Sequence, residues 1–421
     1  MTPAGKIEPQ DWMMAPETQA VLAALSADGA EPRFVGGCVR DAVAGRPVKD
    51  VDLATPDPPE RVTALLERAG IKAVPTGLEH GTVTAVSGGR PFEVTTLRVD
   101  VETYGRRARV AYTDDWQADA ARRDLTINAL SCAPDGTLYD PFGGLGDLRD
   151  GRVRFVGNPR QRIREDYLRL LRFFRFHAHY GQGGPDPEGL AAATELAAEA
   201  TDLSGERVRD ELLKLLAADD PLPVLELMHA HGVLRSFLPE TAGMAALAGL
   251  LTVEPDDDAP DSLRRLAAVL EPDLNAAEAV AKRLRLSRAE RERLGQLLSS
   301  GGPPDAAVRV GMPETRLRVA LYRLGAEAAR DGLLMDWARR PEDARSKLRE
   351  DLQSGLAVMA AWRPMRFPLQ GRDAVALGIQ PGPGLGALLA EIEAWWIAED
   401  FQPDRQACLA RLKNLAADAA S

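Results

Sequence analysis

Cysteine, histidine and aromatic residues are scarce in this chain, and no long apolar run occurs along it. Of 421 residues only three are cysteines and five are histidines. Cys38, Cys132 and Cys408 are far apart, odd in number and in no C-x-x-C pair, so neither a disulfide framework nor a structural zinc site is indicated. A reducing, cytoplasmic setting is expected. The N-terminus, MTPAGKIEPQDW, has no basic segment followed by an apolar stretch, and the longest uncharged run, Ala374 to Ala390, is broken by Pro381, Pro383 and glycines. Neither a signal peptide nor a membrane span is expected. A surplus of positive charge is also missing: 52 Lys and Arg against 63 Asp and Glu give −11, so the surface as a whole is no phosphate platform. Positive charge is concentrated locally instead. From Arg149 to Arg175 nine arginines stand against Asp150, Glu165 and Asp166, a balance of +6.

What is present is enough chain for two to four domains. Its first part mixes helical and strand-like patterning. A helix is predicted over 15–27, a strand from Arg33 breaking into a Gly-Gly turn before Val39, and a helix from Val39 to Ala44 that Gly45-Arg46-Pro47 stops. Val48 to Ala54 alternates as a strand, Glu60 to Ala69 reads as a helix, and 71–75, 81–86 and 91–98 are strand-like. Beyond about Tyr139 strand signals nearly vanish. Leu-, Ala- and Arg-rich segments take over, among them Arg162 to His177, Leu190 to Ala200 and Glu206 to Ala217, with breaks at Gly181–Gly189, Glu254–Asp261 and Ser299–Pro304. The fold class expected is α+β: a mixed-sheet head followed by an elongated all-α remainder.

In Val48-Lys49-Asp50-Val51-Asp52-Leu53, strand alternation places Asp50 and Asp52 on one face and sends Val51 and Leu53 into the core. Two like charges so close call for a cation, and Mg²⁺ takes one or two carboxylates plus substrate phosphates. A bare D-x-D is also common on solvated strand edges. The upstream Phe34-Val35-Gly36-Gly37-Cys38-Val39-Arg40-Asp41 changes its meaning. Gly36 and Gly37 let the backbone approach an anion, and Arg40 suits a phosphate oxygen. Glu93, in Arg90-Pro91-Phe92-Glu93-Val94-Thr95-Thr96-Leu97-Arg98, falls on a neighbouring strand by the same reading. It could complete the metal site, act as base toward an attacking hydroxyl, or simply pair with a surface arginine.

Together, the glycine turn and D-x-D resemble the nucleotidyltransferase head of the DNA polymerase β superfamily, in its branch of tRNA nucleotidyltransferases and bacterial poly(A) polymerases. Arg122-Arg123-Asp124-Leu125-Thr126-Ile127-Asn128-Ala129 is similar to the family's R-R-D-F-T-x-N-A motif, with Leu125 where Phe is usual. Arg122 and Arg123 have the fork geometry for triphosphate oxygens; Asp124 and Asn128 could hold ribose hydroxyls or brace the arginines, and Asp124 could equally cap a helix. Asp140-Pro141-Phe142-Gly143-Gly144 matches a further family element and reads as a structural turn. In Arg164-Glu165-Asp166-Tyr167-Leu168-Arg169-Leu170-Leu171-Arg172-Phe173-Phe174-Arg175, helical spacing sets Asp166, Arg169 and Arg172 along one polar stripe. The resemblance implies that Asp166 and Arg169 read the incoming base, and it adds Arg172 and Arg175 to the nucleotide-binding set.

By the same resemblance the segment Val99 to Ala121, with Tyr104-Gly105-Arg106-Arg107, holds a flexible loop of ordinary length that helps the switch from C to A addition. Arg207, Arg209 and Lys214 are candidate tRNA-phosphate contacts, although charges on an amphipathic helix usually belong to a solvated face. Trp395-Trp396 reads as packing rather than as an RNA-stacking platform, and His177/His179 and His229/His231 lack the H…HD…D pattern of a second, hydrolytic domain. The implied layout is a catalytic head (1–148), a helical neck with the base-reading helix (149–220), an RNA-binding body (221–300) and a helical tail (301–421). The implied activity is template-independent CCA addition to the tRNA acceptor end from CTP and ATP. It uses Mg²⁺ held by Asp50 and Asp52, and nothing calls for a membrane or an obligate protein partner. A poly(A) polymerase, or an enzyme adding only CC or only A, shares the head motifs; a catalytically dead RNA-binding module would have no need of Asp50, Asp52, Arg40 and Asp166.

Overall fold

The computed structural model describes the chain except residues 79–80, 105–106, 201, 255–258, 300–306 and 419–421. It forms two compact units, Met1–Pro239 and Glu240–Ser421. The first begins with β1 (Pro3–Lys6), α1 (Asp11–Met14), α2 (Pro16–Ser26), β2 (Arg33–Val35), α3 (Gly37–Val43), β3 (Asp52–Thr55) and α4 (Pro59–Arg68). β4 (Lys72–Gly77), β5 (Thr82–Ser87) and β6 (Arg90–Thr96) follow, then a separate hairpin of β7 (Arg98–Tyr104) and β8 (Arg107–Tyr112), and α5 (Trp116–Ala121). β9 (Ser131–Cys132) and β10 (Thr137–Tyr139) complete one eight-stranded sheet in the order β1-β10-β9-β2-β3-β6-β5-β4.

The pairing of β3 with β6 is parallel and the sheet's other pairings are antiparallel. One face is packed by α1, α2 and α4 over Phe34, Val51, Leu53, Val62, Leu66, Val83, Phe92 and Val94, with Trp12 edge-on to Phe34 at 4.8 Å between ring centroids. On the other face Val35, Ala54 and Leu97 pack with Trp116 of α5. The sheet is therefore two-sided near β3, and Asp52 belongs to the second side.

Two sequence expectations needed shifting at the strand ends. The first helix after the glycine turn begins at Gly37, not Val39, because Gly36 at φ 69° turns the chain directly out of β2. β3 starts only at Asp52, because β2 ends at Val35 and offers no further strand for Val51 and Asp50 to pair with. The 99–121 segment is a hairpin and a helix rather than a loop. Asp115 ends it by accepting hydrogen bonds from the Gln117 and Ala118 amides at 2.8 and 3.2 Å, an N-cap for α5. Gly105 and Arg106 lie outside the described residues.

After Asp140, whose carboxylate accepts from the Gly144 and Leu145 amides at 2.8 and 2.9 Å and so forms the expected turn, the first unit is helical: α6 (Gly144–Arg149), α7 (Pro159–Glu165), α8 (Leu168–Tyr180), α9 (Pro187–Leu196), α10 (Gly205–Leu216), α11 (Leu222–Ala230) and α12 (Val233–Phe237). Leu125 is fully buried and bridges to Phe155, which stacks on Phe173 of α8, so the helices share a core with the R-R-D segment.

Among its described residues the second unit is helical, from Ala245–Leu251 to Arg405–Asp418. It has one core around Trp337 and another around Trp396, where Tyr322, Phe367 and Phe401 meet the indole. Trp396 is thus a packing residue, and Trp395 packs beside it under Arg411. No described helix in the chain is long and apolar enough to cross a membrane.

Phe34 is completely buried between the sheet and Trp12. Phe34→Ala is expected to cost about 3–5 kcal/mol of stability, read as a lower denaturant midpoint of the first unit. A loss under about 1 kcal/mol would contradict this packing.

Candidate active site

The parallel pairing of β3 with β6 sets Asp52 opposite Glu93, so both carboxylates leave the same face of the sheet while Leu53 and Val94 enter the core behind them. Asp50 precedes the strand and is exposed, yet the alternation persists, with Val51 buried between the two aspartates. Burial pushes the Asp52 carboxyl up to about 6; Glu93 and Asp50 add to the push and Arg123 opposes it. A carboxylate held this far above its ordinary range is short of positive charge.

Beside Asp52 opens a cleft of about 540 Å³ lined by Gly36, Gly37, Arg40, Arg122, Arg123, Asp124, Asn128, Asp166, Leu168, Arg169, Arg172, Arg175, Phe176 and Arg207 together with Asp52 itself. Every residue expected to bind nucleotide lines it. Asp50 and Glu93 are exposed and do not, and Arg209 and Lys214 stand elsewhere on α10: Arg209 pairs with Asp210 at 2.8 Å, and Lys214 is exposed. At Gly36 an added Cβ would come within 3.1 Å of an Arg123 Nη, so the missing side chain makes room for that guanidinium.

The cleft's cations are held by buried and half-buried acceptors. Arg40 forms a two-pronged pair with Asp41 at 3.0 Å, donates to the Asn128 side-chain oxygen at 2.7 Å and lies over Tyr180, whose hydroxyl donates to Asp41 at 2.6 Å. Asn128 donates to Asp124 at 3.1 Å, Arg172 donates to Asp124 at 2.6 Å, and Glu211 of α10 pairs with Arg172 at 3.4 Å and Arg175 at 2.6 Å. Asp124 therefore braces rather than caps. Burial raises its carboxyl, but the charge and hydrogen bond of Arg172, with bonds from Asn128 and the Leu125 amide, outweigh that and bring it down to about 2.

Asp166 departs from the helical stripe expected of it. It has extended backbone, φ −155° and ψ 106°, and separates α7 from α8. An aspartate competes for nearby backbone donors, and here its Oδ1 accepts from the Leu168 amide at 3.2 Å, ending one helix and starting the next. Its Oδ2 accepts from Arg207 at 2.6 Å, which puts Arg207 in the nucleotide cleft rather than on the exposed flank of α10. Arg169, on the first turn of α8, donates to Glu165 at 2.5 Å, to the Arg162 carbonyl at 3.2 Å and to the Arg122 carbonyl at 3.1 Å. Three of its five N–H groups are used by these bonds.

Sequence reasoning passed over Asp41, Asp119, Tyr180 and Glu211. Three are acids whose only signal was a position near an arginine motif, and the burial of Asp119 and Glu211 shows only once the chain is folded.

Asp124 contributes stability because its folded value lies below the ordinary carboxylate value. That contribution, about 2 kcal/mol, is present above about pH 4 and lost as pH falls from there toward 2. Melting temperatures from pH 5 to 2 are expected to fall more steeply for the parent than for Asp124→Asn; parallel curves would contradict the Arg172 pairing.

Residues 32–154 match the Poly A polymerase head domain, and residues 185–244 match the probable RNA and SrmB-binding site of polymerase A. The mitochondrial CCA tRNA nucleotidyltransferase 1 of Danio rerio is 35% identical over 395 residues, covering 91% of this chain and 87% of the relative. The CCA-adding enzyme of Levilactobacillus brevis is 30% identical over 420 residues, covering 96% and 98%. The crystal structure of the Bacillus stearothermophilus CCA-adding enzyme in complex with CTP superposes with a TM-score of 0.64 at 25% identity, over 96% of this chain and 98% of that one. With the carboxylate pair, the glycine turn and the arginine cleft in one unit, the chain belongs to the CCA tRNA nucleotidyltransferase family.

Proposed function

We propose that the protein adds C, C and A to the 3′ end of tRNA from CTP and ATP, one nucleotide at a time and without a nucleic-acid template. The observation that carries this reading is a single cleft in which phosphate-binding arginines, the Asp52 carboxylate and the base-reading pair Asp166 and Arg169 meet. In each cycle the terminal 3′-hydroxyl oxygen bonds to the α-phosphorus, the bond from that phosphorus to the bridging oxygen of pyrophosphate breaks, and the hydroxyl proton leaves to a base. Glu93, opposite Asp52 on the exposed face, suits that base.

The residues fit divalent magnesium. The donors in this reading are the Asp50 and Asp52 carboxylates, which nucleotide phosphates would complete, as Mg²⁺ prefers. The cation shortage at Asp52 supports this. When bound, Mg²⁺ supplies charge stabilisation to the attacking and leaving oxygens.

Arg122 and Arg123 face the triphosphate with forked donors. Asp166 accepts from the exocyclic amino group of cytosine or adenine, and Arg169 donates to the adjacent unprotonated ring nitrogen. Uracil and guanine present a carbonyl followed by N–H on that edge. Each buried polar group left unpaired by them costs about 1–3 kcal/mol. Arg207, bonded to Asp166, keeps that carboxylate in place as an acceptor. The arginines of α7 and the Arg152/Arg154 pair are partly exposed and support a tRNA-phosphate role.

Incorporation of radiolabelled CTP into tRNA lacking its terminus tests the reading, and extension of arbitrary RNA by ATP alone would overturn it in favour of a poly(A) polymerase. Asp50→Ala is expected to abolish incorporation by removing one of the two metal-holding carboxylates, with tRNA binding largely retained; parental turnover would refute the metal assignment. Asp166→Ala is expected to admit UTP or GTP, and a variant as selective as the parent would remove Asp166 from base choice.

A further inference from the structure

Asp119 does not line the cleft, yet it organises much of it. It sits on α5, is only 3% exposed, and its two oxygens take four hydrogen bonds. Oδ1 accepts from the Arg98 backbone N–H at 3.2 Å, from Arg122 Nε at 3.0 Å and from Arg122 Nη2 at 2.8 Å; Oδ2 accepts from Arg123 Nη2 at 3.3 Å. Burial works against a charged carboxyl here, but the two guanidinium charges hold it below the ordinary range. It therefore stays charged between two cations.

Two observations give this cluster a consequence. Arg122 and Arg123 are adjacent like charges that would separate in water, and each has several rotatable bonds to lose on ordering. One buried carboxylate shared between them removes both problems before a ligand arrives. The bonded atoms also connect different parts of the site. Arg98 is the first residue of the β7–β8 hairpin, while the Arg122 carbonyl accepts from Arg169, the guanidinium placed to read the base.

We propose that Asp119 is a positioning residue for the nucleotide's phosphates: it sets Arg122 and Arg123 as a preformed fork and ties that fork to the hairpin root and, through the Arg122 carbonyl, to Arg169. The proposal rests on the nucleotidyl-transfer reading. Asp119 touches no substrate itself; its effect passes through the arginines, so it should be felt wherever a polyphosphate binds and regardless of the base attached. Asp124 and Glu211 cannot substitute, because they hold Arg172 and Arg175 from another direction.

The test uses the full chain and compares parent and Asp119→Asn for KM and kcat of CTP and ATP addition and for affinity to inorganic tripolyphosphate in the absence of tRNA. Asp119→Asn is expected to raise both KM values by about tenfold or more and to weaken tripolyphosphate by a similar factor, the scale of losing charge-assisted hydrogen bonds. A merely structural role would lower the melting temperature and the active fraction, hence apparent kcat. Parental KM values and parental tripolyphosphate affinity in the folded fraction would overturn the proposal. Should Asp119→Asn not fold, Asp119→Glu gives the same test, because moving the carboxylate outward displaces the fork; unchanged KM and tripolyphosphate affinity there would also overturn it. A parent that extends no tRNA would sink the transfer reading instead, while tripolyphosphate binding would still decide the role of Asp119.

Discussion

Asp52 and Glu93 sit opposite each other on the parallel pair of β3 with β6, with Asp50 just ahead on the same chain segment. Their repulsion, together with the partial burial of Asp52, works against the folded state unless positive charge arrives from outside. The surrounding architecture follows from that constraint. The core beneath β3 and β6 fixes the register from behind through Leu53, Phe92 and Val94. In front, the chain leaves β2 at Gly36 without a side chain and brings Arg123 and Arg40 alongside. A metal–nucleotide complex, cationic at one end and anionic at the other, satisfies both halves.

The arginines raise the opposite problem, since a cleft lined by so many guanidiniums would repel itself. The fold answers with an acid paired to each of these arginines: buried Asp119 with Arg122 and Arg123, buried Asp124 and Glu211 with Arg172 and Arg175, and half-buried Asp41 with Arg40, Glu165 with Arg169 and Asp166 with Arg207. Removing one partner from such a pair leaves a buried charge uncompensated, which is far more costly than the pair's own net stabilisation. The arrangement explains how an acidic protein presents a phosphate-binding site: the donors' remaining N–H groups face the cleft while their charge is balanced behind it. It also holds those donors at fixed angles, so less ordering is left for the nucleotide to impose.

Much of this was legible from residue order. The period-two alternation around Asp50 and Asp52 and the Gly36-Gly37 turn located the carboxylate face, and the arginine motifs named nearly all the lining residues. Three features were not legible. Asp166 leaves the helix because its side chain captures the Leu168 amide, a local competition that helical spacing does not register. The β7–β8 hairpin was read as a loop from the family resemblance, which overrode the alternation of Val99, Val101 and Thr103 along β7, and neither strand joins the main sheet. Arg207 belongs to the cleft only because α10 packs against α8, a long-range contact. The same holds for Asp119 and Glu211, whose burial depends on which helices meet.

The central claim, that one cleft selects C and A and stops after three additions, is tested most directly by offering all four nucleotides to tRNAs ending before the first C, after CC and after CCA, and sequencing the 3′ ends. The account predicts CCA on the first, A alone on the second and no extension of the third. Runs of A beyond the terminus, or incorporation of U or G by the parent protein, would contradict it.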